Sequence, residues 1–406
     1  MAAPHPLAGF WKIDPESLYL NHGSFGPSPE PVSAAREAWS RRLEQQPMRF
    51  YCREMETELD HATAVVAAFL KTQPDRMVLI DNATVAMNIV ASSLQLTDGD
   101  EILLTDHEYG AVRNIWQAAC RKANARTTTA VLPFPPATAG TVQAIEAAIT
   151  PRTRLIVVSH VTSATACVLP VAEICRMARR HRIPVCVDGP HALAMLDINL
   201  NELGCDYYCA SGHKWLCGPF GSGFLWAHPR RLSELKTPII SWGGSIAGHP
   251  ASWKDSLQWL GTRDPAPLLA LADAVRFFTP ERLREYRSYS HSLLVTARQQ
   301  LLKIPGIGSF CTPEESDFVS MVAVELPQSP GWKPGYHGHP DSLQTALRER
   351  IGAEVLTGSW NGHRFLRLSA HLYNTADQLQ VCVDAVKDIL AQEASLPASD
   401  HRPKDS

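Results

Sequence analysis

The sequence predicts an α/β fold, with a mostly parallel, doubly wound sheet in a large domain and a smaller α+β domain towards the C-terminus. Short apolar runs alternate with helix-like segments over about 150 residues, which is typical of such a sheet. Runs such as LIVVS are almost wholly apolar, as expected for parallel strands covered on both faces. After residue 267 long helical segments precede short strands instead. We therefore expect a large domain at 25–266, a small domain at 1–24 and 267–395, and a disordered tail at 396–406.

Composition narrows the class of protein. The chain has 406 residues, 45% of them hydrophobic, and a net charge of −3, so we expect a large core and no bulk attraction to nucleic acid. Its ten cysteines form no C-x-x-C pair and several lie in apolar runs, which favours thiols in a reducing cytoplasm over disulfides or a zinc site. The first residues lack the pattern of a signal peptide, and no apolar run approaches the roughly 20 residues that span a bilayer. We expect a cytoplasmic protein with a small-molecule partner and no nucleic-acid or membrane partner.

The N-terminal part contains a turn and two helices. The apolar segment SLYL runs into Asn21 and His22, which form either an ordinary surface turn or part of a site. Helical periodicity predicts helices at 30–45 and 53–70. The segment between them, QQPMRFYC, is expected to be an interhelical loop, and its Arg49 could reach a ligand or only pack the loop.

The next two predicted strands along the chain each end in polar residues. The strand MVLI ends in a small polar turn, Asn82-Ala83-Thr84, that opens a helix. Such a unit offers backbone N–H groups to a phosphate, although Asn82 or Thr84 could also be an N-cap, and the two roles are compatible. The strand EILLT ends near His107 and Tyr109, either of which could present an aromatic face to a ligand.

The centre of the chain indicates a cofactor. A long apolar strand ends near Ser163, the run VCVD ends in Asp188, a helix is expected next, and the following strand ends in Ser-Gly-His-Lys with Lys214 last. Because ligands of α/β sheets bind at the carboxyl ends of strands, we expect the acid and the lysine to converge. That pair suits pyridoxal 5′-phosphate (PLP), since the lysine forms a Schiff base with the aldehyde and the aspartate keeps the pyridine nitrogen protonated. The glycine-rich turn after Lys214 lacks G-x-G-x-x-G and precedes a strand, which argues against a dinucleotide loop.

The stretch 185–226 and the C-terminal motif RLSAHLYN resemble the fold-type I PLP enzymes, in particular the class V aminotransferase family in its isopenicillin N epimerase-like and cysteine desulfurase-like branch. The resemblance spans roughly residues 18–390. It implies the fold of a fold-type I PLP-dependent transferase, PLP as cofactor, and a homodimer with shared active sites. It assigns to the cofactor Asn82, Ala83, Thr84, His107, Ser163, Asp188, His191, Ser211, His213, Lys214 and Thr262.

The resemblance also implies a role for each of these residues. The catalytic residues are expected to be Lys214, which forms the Schiff base, Asp188, which keeps the pyridine nitrogen protonated, and His107, which stacks on the cofactor ring. The residues expected at the phosphate are Asn82, Ala83, Thr84, Ser211, His213 and, from the neighbouring subunit, Thr262, and those expected near the phenolic oxygen are Ser163 and His191.

Substrate binding is implied in the same way. Arg367, in the motif R-L-S followed by Tyr-Asn, is expected to bind an α-carboxylate, for which a planar guanidinium is well suited. Further candidates for substrate contact are Asn21, His22, Tyr109 and Arg49.

Several reactions remain open. The loop LTGSWNGHR holds no cysteine, so desulfuration through a thiolate is not expected. Motifs such as NHGSFGP and DHEYGA favour epimerase or racemase chemistry, with Lys214 removing the α-proton and His22, Tyr109 or Tyr51 as a second acid/base. A carbon–sulfur β-lyase, an aminotransferase and an inactive PLP-fold binding protein are the alternatives.

Overall fold

The structure is a computed structural model that describes residues 4–250, 252–310, 318–328, 332 and 341–395. The chain divides into a large unit, Phe25–Ser163 with Val168–Glu285, and a small unit, Met1–Ser24 with Ala164–Cys167 and Tyr286–Ser406. This division differs from the boundary expected at 266, because the next helices, α10 (Ala266–Leu269) and α11 (Leu271–Phe277), pack against helices α1 (Glu30–Gln45) and α3 (Met55–Phe69) of the large unit. The expected tail at 396–406 lies outside the described residues.

A seven-stranded sheet forms the centre of the large unit. Its strands, numbered along the chain, are β2 (Met77–Ile80), β3 (Glu101–Thr105), β4 (Arg126–Ala130), β5 (Thr153–Ser159), β6 (Val185–Asp188), β7 (Tyr207–Ser211) and β8 (Gly223–Ala227). They lie in the order β2-β8-β7-β6-β5-β3-β4. β8 is antiparallel to both of its neighbours, and all other neighbours are parallel. The sheet is therefore mostly parallel, as predicted.

Helices flank these strands in sequence. Besides α1, α3, α10 and α11 they are α2 (Pro47–Arg49), α4 (Ala83–Ser93), α5 (Gly110–Lys122), α6 (Thr138–Ala147), α7 (Val171–Arg180), α8 (Leu200–Leu203) and α9 (Asp255–Gln258), with 3₁₀ turns at Pro74–Arg76 and Pro229–Glu234. α4 and α5 belong to one apolar core cluster with the sheet, which includes Met87 and Trp116. Burial of this apolar surface is the main term that stabilises the layered arrangement.

Two local predictions were wrong. The expected interhelical loop is helical, since Pro47 starts α2 and a π-helix, Phe50–Glu54, leads directly into α3. Its Phe50 is buried, so the extra residue per turn brings an aromatic side chain into the core. The helix expected after Asp188 is replaced by turns up to the short α8, because Gly189 and Pro190 interrupt helical pairing.

Packing at the carboxyl ends of the central strands explains the glycine after Asp188. A Cβ atom at Gly189 would lie 2.2 Å from the Tyr208 ring. Along this edge Ser159 of β5 is in register with Asp188 of β6, which in turn pairs with Cys209 of β7. The strand ends that carry the predicted site residues therefore meet at one edge of the sheet.

The small unit is an α+β structure with its own core. Its strands and helices are β1 (Leu18–Tyr19), β9 (Gly308–Ser309), β10 (Met321–Glu325), β11 (Ala353–Glu354), β12 (Leu356–Trp360), β13 (His363–Ser369), most of α12 (Pro280–Leu301), α13 (Ser342–Ile351), α14 (Ala376–Ser395) and a 3₁₀ turn at Ala8–Phe10. Four strands form an antiparallel sheet in the order β12-β13-β10-β9, and β1 pairs with β11. A buried apolar cluster joins the sheet to α12, α13 and α14.

These observations confirm the predicted fold class, an α/β structure with a mostly parallel sheet and a smaller C-terminal domain. Across the described residues, no helix combines the length and the apolar character that crossing a membrane requires.

Candidate active site

Lys214 follows β7 and lies against a histidine. Its Nζ is 2.9 Å from Nε2 of His191, and the indole N–H of Trp215 donates to Nδ1 of the same ring at 3.3 Å. An indole nitrogen can only donate, so Nδ1 of His191 accepts and the ring is neutral with its proton on Nε2. Nε2 therefore donates to Nζ, and the amine of Lys214 must offer its lone pair. This hydrogen bond favours the neutral form of the Lys214 amine, which is the form that attacks an aldehyde.

Asp188 occupies the last position of β6 and is buried. Burial raises the pKa of its carboxyl from 3.8 to about 6, because a charge at this position is poorly solvated. A cationic partner would restore the charged form. The site thus contains a poorly solvated carboxyl, that of Asp188, and an amine, that of Lys214.

The turn between β2 and α4 lies beside the end of β7. Asn82 caps α4 by accepting from the Val85 amide at 3.0 Å, and the amide of Ala83 donates to Ser211 Oγ at 3.0 Å. Ser211 is therefore brought to the helix N-terminus, where backbone dipoles favour an anion. Thr84 lies in the first turn of α4 and is exposed. The predicted phosphate residues Asn82, Ala83, Thr84 and Ser211 are thus close together.

Gly223 makes this close approach possible. A Cβ atom there would lie 2.5 Å from the carbonyl oxygen of Ala210 and 2.9 Å from Cα of Asn82. Any other residue would push β8 away from the turn that opens α4, so this predicted phosphate-binding turn requires glycine at position 223.

His213 stands between Gly212 and Lys214, after the end of β7. Its Nδ1 is buried and has no hydrogen-bond partner in the described part of the chain. Burial lowers the pKa of the ring from 6.5 to about 4, so the ring is neutral near pH 7. A buried polar nitrogen without a partner indicates a place for a ligand atom.

The remaining large-unit residues fall into two groups. His107 is buried and burial lowers its pKa to about 4, so it is neutral, while Ser163 follows β5 at the same edge of the sheet. Tyr109 and Thr262 are exposed, and Arg49 forms an exposed ion pair with Glu54 at 2.9 Å. No described contact joins these last three residues to Lys214 or Asp188.

The predicted substrate residues of the small unit lie together. The Nη2 atom of Arg367 donates to Ser24 Oγ at 2.9 Å and to Asn21 Oδ1 at 3.3 Å, and Arg367 is buried on β13. His22 is buried, its Nδ1 is 2.8 Å from Tyr373 Oη, and its ring stacks on His371 at 4.3 Å. In this structure Asn21 orients the guanidinium of Arg367.

Sequence reasoning missed several residues of the site. Trp215, which fixes the His191 proton, and Glu108, a buried carboxyl, were not singled out. Arg263 forms an ion pair with Asp81, the residue before the Asn82 turn. This pair ties the loop that carries Thr262 to the turn. Asp81 directly precedes the predicted anion-binding turn at Asn82, and a charged residue at that position was the signal in the sequence that could have identified the pair.

Comparison with known proteins now identifies the class. The model of the class V aminotransferase family matches residues 19–382. The chain is 36% identical to an isopenicillin N epimerase from Streptomyces clavuligerus, over 92% of this chain and 95% of that protein, and 34% identical to one from Amycolatopsis lactamdurans, over 93% and 96%. The chain belongs to the class V aminotransferase family. The predicted family is confirmed, and the protein is an enzyme.

More distant relatives and solved structures also match the chain. A probable chloroplastic L-cysteine desulfhydrase of Arabidopsis thaliana is 26% identical, over 93% of this chain and 84% of that protein. A cystine C–S lyase, solved with its product cysteine persulfide, has a TM-score of 0.81 at 22% identity, over 94% of this chain and 99% of that chain. A cysteine desulfurase from Escherichia coli has a TM-score of 0.77 at 22% identity, over 95% and 97%. These two structural likenesses show a shared fold.

PLP is the cofactor that family membership indicates, and the residues present fit it. The chain offers the Lys214 amine beside His191, a buried carboxyl at Asp188, and buried Nδ1 of His213, which lacks a partner among the described residues. The N-terminus of α4 beside Ser211 suits an anionic group, and Gly223 leaves room for β8 to approach this turn.

Proposed function

We propose that this protein is a PLP-dependent epimerase or racemase that inverts the α-carbon of an amino acid or amino-acid-derived substrate, as in an isopenicillin N epimerase. The observation that carries the proposal is identity of 36% and 34% to two such epimerases over more than nine-tenths of each chain. Identity that extends over whole chains supports a shared reaction better than a shared fold does.

The proposed roles of the residues follow from their environments. When bound, PLP supplies an electron sink for the charge left at the α-carbon. Asp188 would hold the protonated ring nitrogen, and His213, Ser211 and the N-terminus of α4 would hold the phosphate. Lys214 would hold the cofactor through its aldehyde and would remove the α-proton of the substrate. His191 favours the deprotonated amine by donating from Nε2.

Inversion needs a second acid/base, and we propose Tyr109 for this role. The Tyr51 hydroxyl donates to the carbonyl oxygen of Arg263 at 2.9 Å, and His22 Nδ1 bonds to Tyr373. The Tyr109 hydroxyl has no hydrogen-bond partner in the described part of the chain, and Tyr109 follows β3 as the N-cap of α5. These observations favour Tyr109 over the other two candidates.

The proposed substrate contact is Arg367, whose guanidinium binds the α-carboxylate. Its position on β13 and its bonds to Asn21 and Ser24 support this role, since they fix a buried planar donor. His22, Asn21 and Arg49 remain proposed contacts, although Arg49 is paired with Glu54 on the surface.

A β-lyase is the second candidate function. It is favoured by the identity of 26% to a probable L-cysteine desulfhydrase. Desulfuration through a thiolate is disfavoured, because the strand β12 and the turn before β13 hold threonine, serine and tryptophan but no cysteine. Transamination would require Lys214 to return the proton to the aldehyde carbon of the cofactor.

The deciding experiment is incubation of the purified PLP-loaded protein with a panel of L-amino acids and isopenicillin N in deuterated water. α-Deuteration with loss of chirality supports the epimerase. Release of pyruvate, ammonia or a thiol supports the lyase, and formation of an oxo acid supports the aminotransferase. A protein that binds PLP but exchanges no α-proton with any substrate would be the inactive binding protein.

We also propose a cytoplasmic homodimer in which Thr262 donates to the phosphate of the partner subunit's PLP. Thr262 is exposed, and the loop around it is anchored by the Arg263–Asp81 ion pair beside the phosphate turn. All nine cysteines within the described residues are free thiols, in keeping with a reducing compartment. Sedimentation would test the dimer, and Thr262→Val should weaken PLP binding only if the dimer forms.

A further inference from the structure

Glu108 is a buried carboxyl that the proposed reaction does not use. It lies three residues beyond the end of β3, and its side chain accepts three hydrogen bonds. Thr105 Oγ1 donates to Oε1 at 2.7 Å, the Ser159 amide donates to Oε1 at 3.1 Å, and Ser159 Oγ donates to Oε2 at 2.7 Å. Among the described residues no lysine, arginine or histidine forms an ion pair with it. The donor set suits a carboxylate, because all three groups donate.

Sheet register places Glu108 next to Asp188. Ser159, which binds both oxygens of Glu108, is the last residue of β5 and is in register with Asp188 on β6. Residues in register on parallel strands point to the same face of a sheet, so Ser159 holds Glu108 on the Asp188 side. Burial and the charge of Asp188 raise the pKa of Glu108 from 4.5 to about 7, against the effect of its hydrogen bonds.

We propose that Glu108 is a second buried carboxylate behind Asp188, which strengthens the hold of Asp188 on the protonated ring nitrogen of PLP. This inference rests on the proposed role of Asp188. A cationic nitrogen is attracted by both negative charges, and attraction is strong where solvent is excluded. Glu108 is therefore a positioning residue, since it touches neither substrate nor cofactor and acts through Asp188.

The other titratable groups around Glu108 do not reproduce its expected pH dependence. His107 on the same segment is neutral, with a pKa lowered to about 4, and burial raises the pKa of Cys186 on β6 well above 9.0. On α5, Arg113 donates to the carbonyl oxygens of Glu108 and Asp106 and stays charged. Asp188, with a pKa of about 6, is the other group facing Glu108 that changes charge near neutrality.

The test measures PLP affinity of the apo-protein rather than turnover. The variant Glu108→Gln keeps the size and an accepting oxygen but removes the charge. We expect it to weaken PLP binding by about tenfold at pH 8, where Glu108 is ionised in the wild type, and by less than about twofold at pH 6. The matched control is Glu101→Gln, because Glu101 is also buried but is the first residue of β3, bonded to Thr150 and Arg126, whereas Glu108 follows the other end of the strand. The control should show the same affinity ratio to the wild type at both pH values.

A double-mutant cycle with Asp188→Asn completes the test. This substitution removes the carboxylate that holds the proton on the ring nitrogen, so the effect of Glu108→Gln should disappear in the Asp188→Asn background. A loss of equal size at both pH values, or a loss that persists in that background, would show a purely structural role and overturn the inference. Because PLP binding is read directly, absence of epimerase turnover would refute the proposed reaction and leave this result standing.

Discussion

Lys214 Nζ and His191 Nε2 lie 2.9 Å apart, and the direction of the hydrogen bond between them is set from the far side of the ring. The Trp215 indole donates to His191 Nδ1, so the imidazole proton faces the lysine. Trp215, which touches neither cofactor nor substrate in the proposed reaction, thus orients the imidazole proton towards Lys214.

Trp215→Phe should slow the reaction of the apo-protein with PLP by about tenfold near pH 7. Without the indole donor, His191 can carry its proton on Nδ1 and accept from a protonated Lys214, which does not attack an aldehyde. The rate of covalent attachment, followed by absorbance, should therefore recover at higher pH. Trp226→Phe is the control, since Trp226 is equally buried and donates to Thr72 Oγ1 at 2.8 Å. An unchanged pH profile in the Trp215 variant would contradict the assigned tautomer.

Lys214→Ala should abolish covalent attachment of PLP while leaving non-covalent binding through Asp188 and the phosphate residues. Borohydride reduction followed by intact-protein mass spectrometry measures the attachment directly. The wild type should retain one PLP per chain after reduction, and the variant none. Retention of the added mass by the variant would mean that another amine carries the cofactor.

The sequence was sufficient to predict most of the sheet but not the whole site. The strands of MVLI, EILLT and VCVD have the predicted limits, because buried parallel strands are unbroken apolar runs that end in polar turns. The helix at 30–45 is likewise found as predicted. The π-helix at 50–54 was missed, since five residues are too few to distinguish its period from that of a loop or an α-helix.

Long-range contacts explain what sequence reasoning could not supply at the site. Glu108 follows a strand end, where a glutamate is usually solvated, and its burial depends on Ser159, which is 51 residues away. The tautomer of His191 likewise depends on Trp215, 24 residues further along the chain. Neither pairing has a spacing that periodicity can reveal.

Arg367→Lys should weaken binding of the amino-acid substrate by about 30-fold, roughly 2 kcal/mol, with little change in PLP affinity. A lysine cannot keep the bonds to Ser24 and Asn21 and also present two parallel donors to a carboxylate. Substrate affinity is measured by the spectral change of the PLP-loaded protein.

Arg364→Lys is the control for that variant, because Arg364 is also buried on β13. It pairs with Asp341 and with Glu393 at 2.8 Å, so its replacement should lower the unfolding temperature without a specific loss of substrate affinity. Equal losses of substrate and PLP affinity in the Arg367 variant would indicate a folding role for Arg367 instead.

The apo-protein should lose stability as the pH rises from about 4.5 to about 7, through the contribution of Glu108. Its pKa is raised to about 7 in the folded state, so the folded protein binds more protons than the unfolded chain across this interval. The contribution is fully present below the unfolded pKa and is lost as the pH passes through the folded pKa. The rise in the pKa of Glu108 corresponds to a contribution of about 3 kcal/mol to the free energy of unfolding.

Glu108→Gln should remove this loss, so its unfolding temperature relative to the wild type should rise between pH 5 and pH 8. Glu101→Gln should run parallel to the wild type over this range, because Glu101 stays ionised throughout it. The hydrogen bond from Thr150, and then Arg126, lower the pKa of Glu101, so its stabilising contribution is present above 4.5 and is lost as the pH falls. Thermal unfolding of the two apo-variants and the wild type over this range measures both slopes. Parallel curves for Glu108→Gln and the wild type would mean that Glu108 keeps one protonation state throughout, which its burial and the charge of Asp188 argue against.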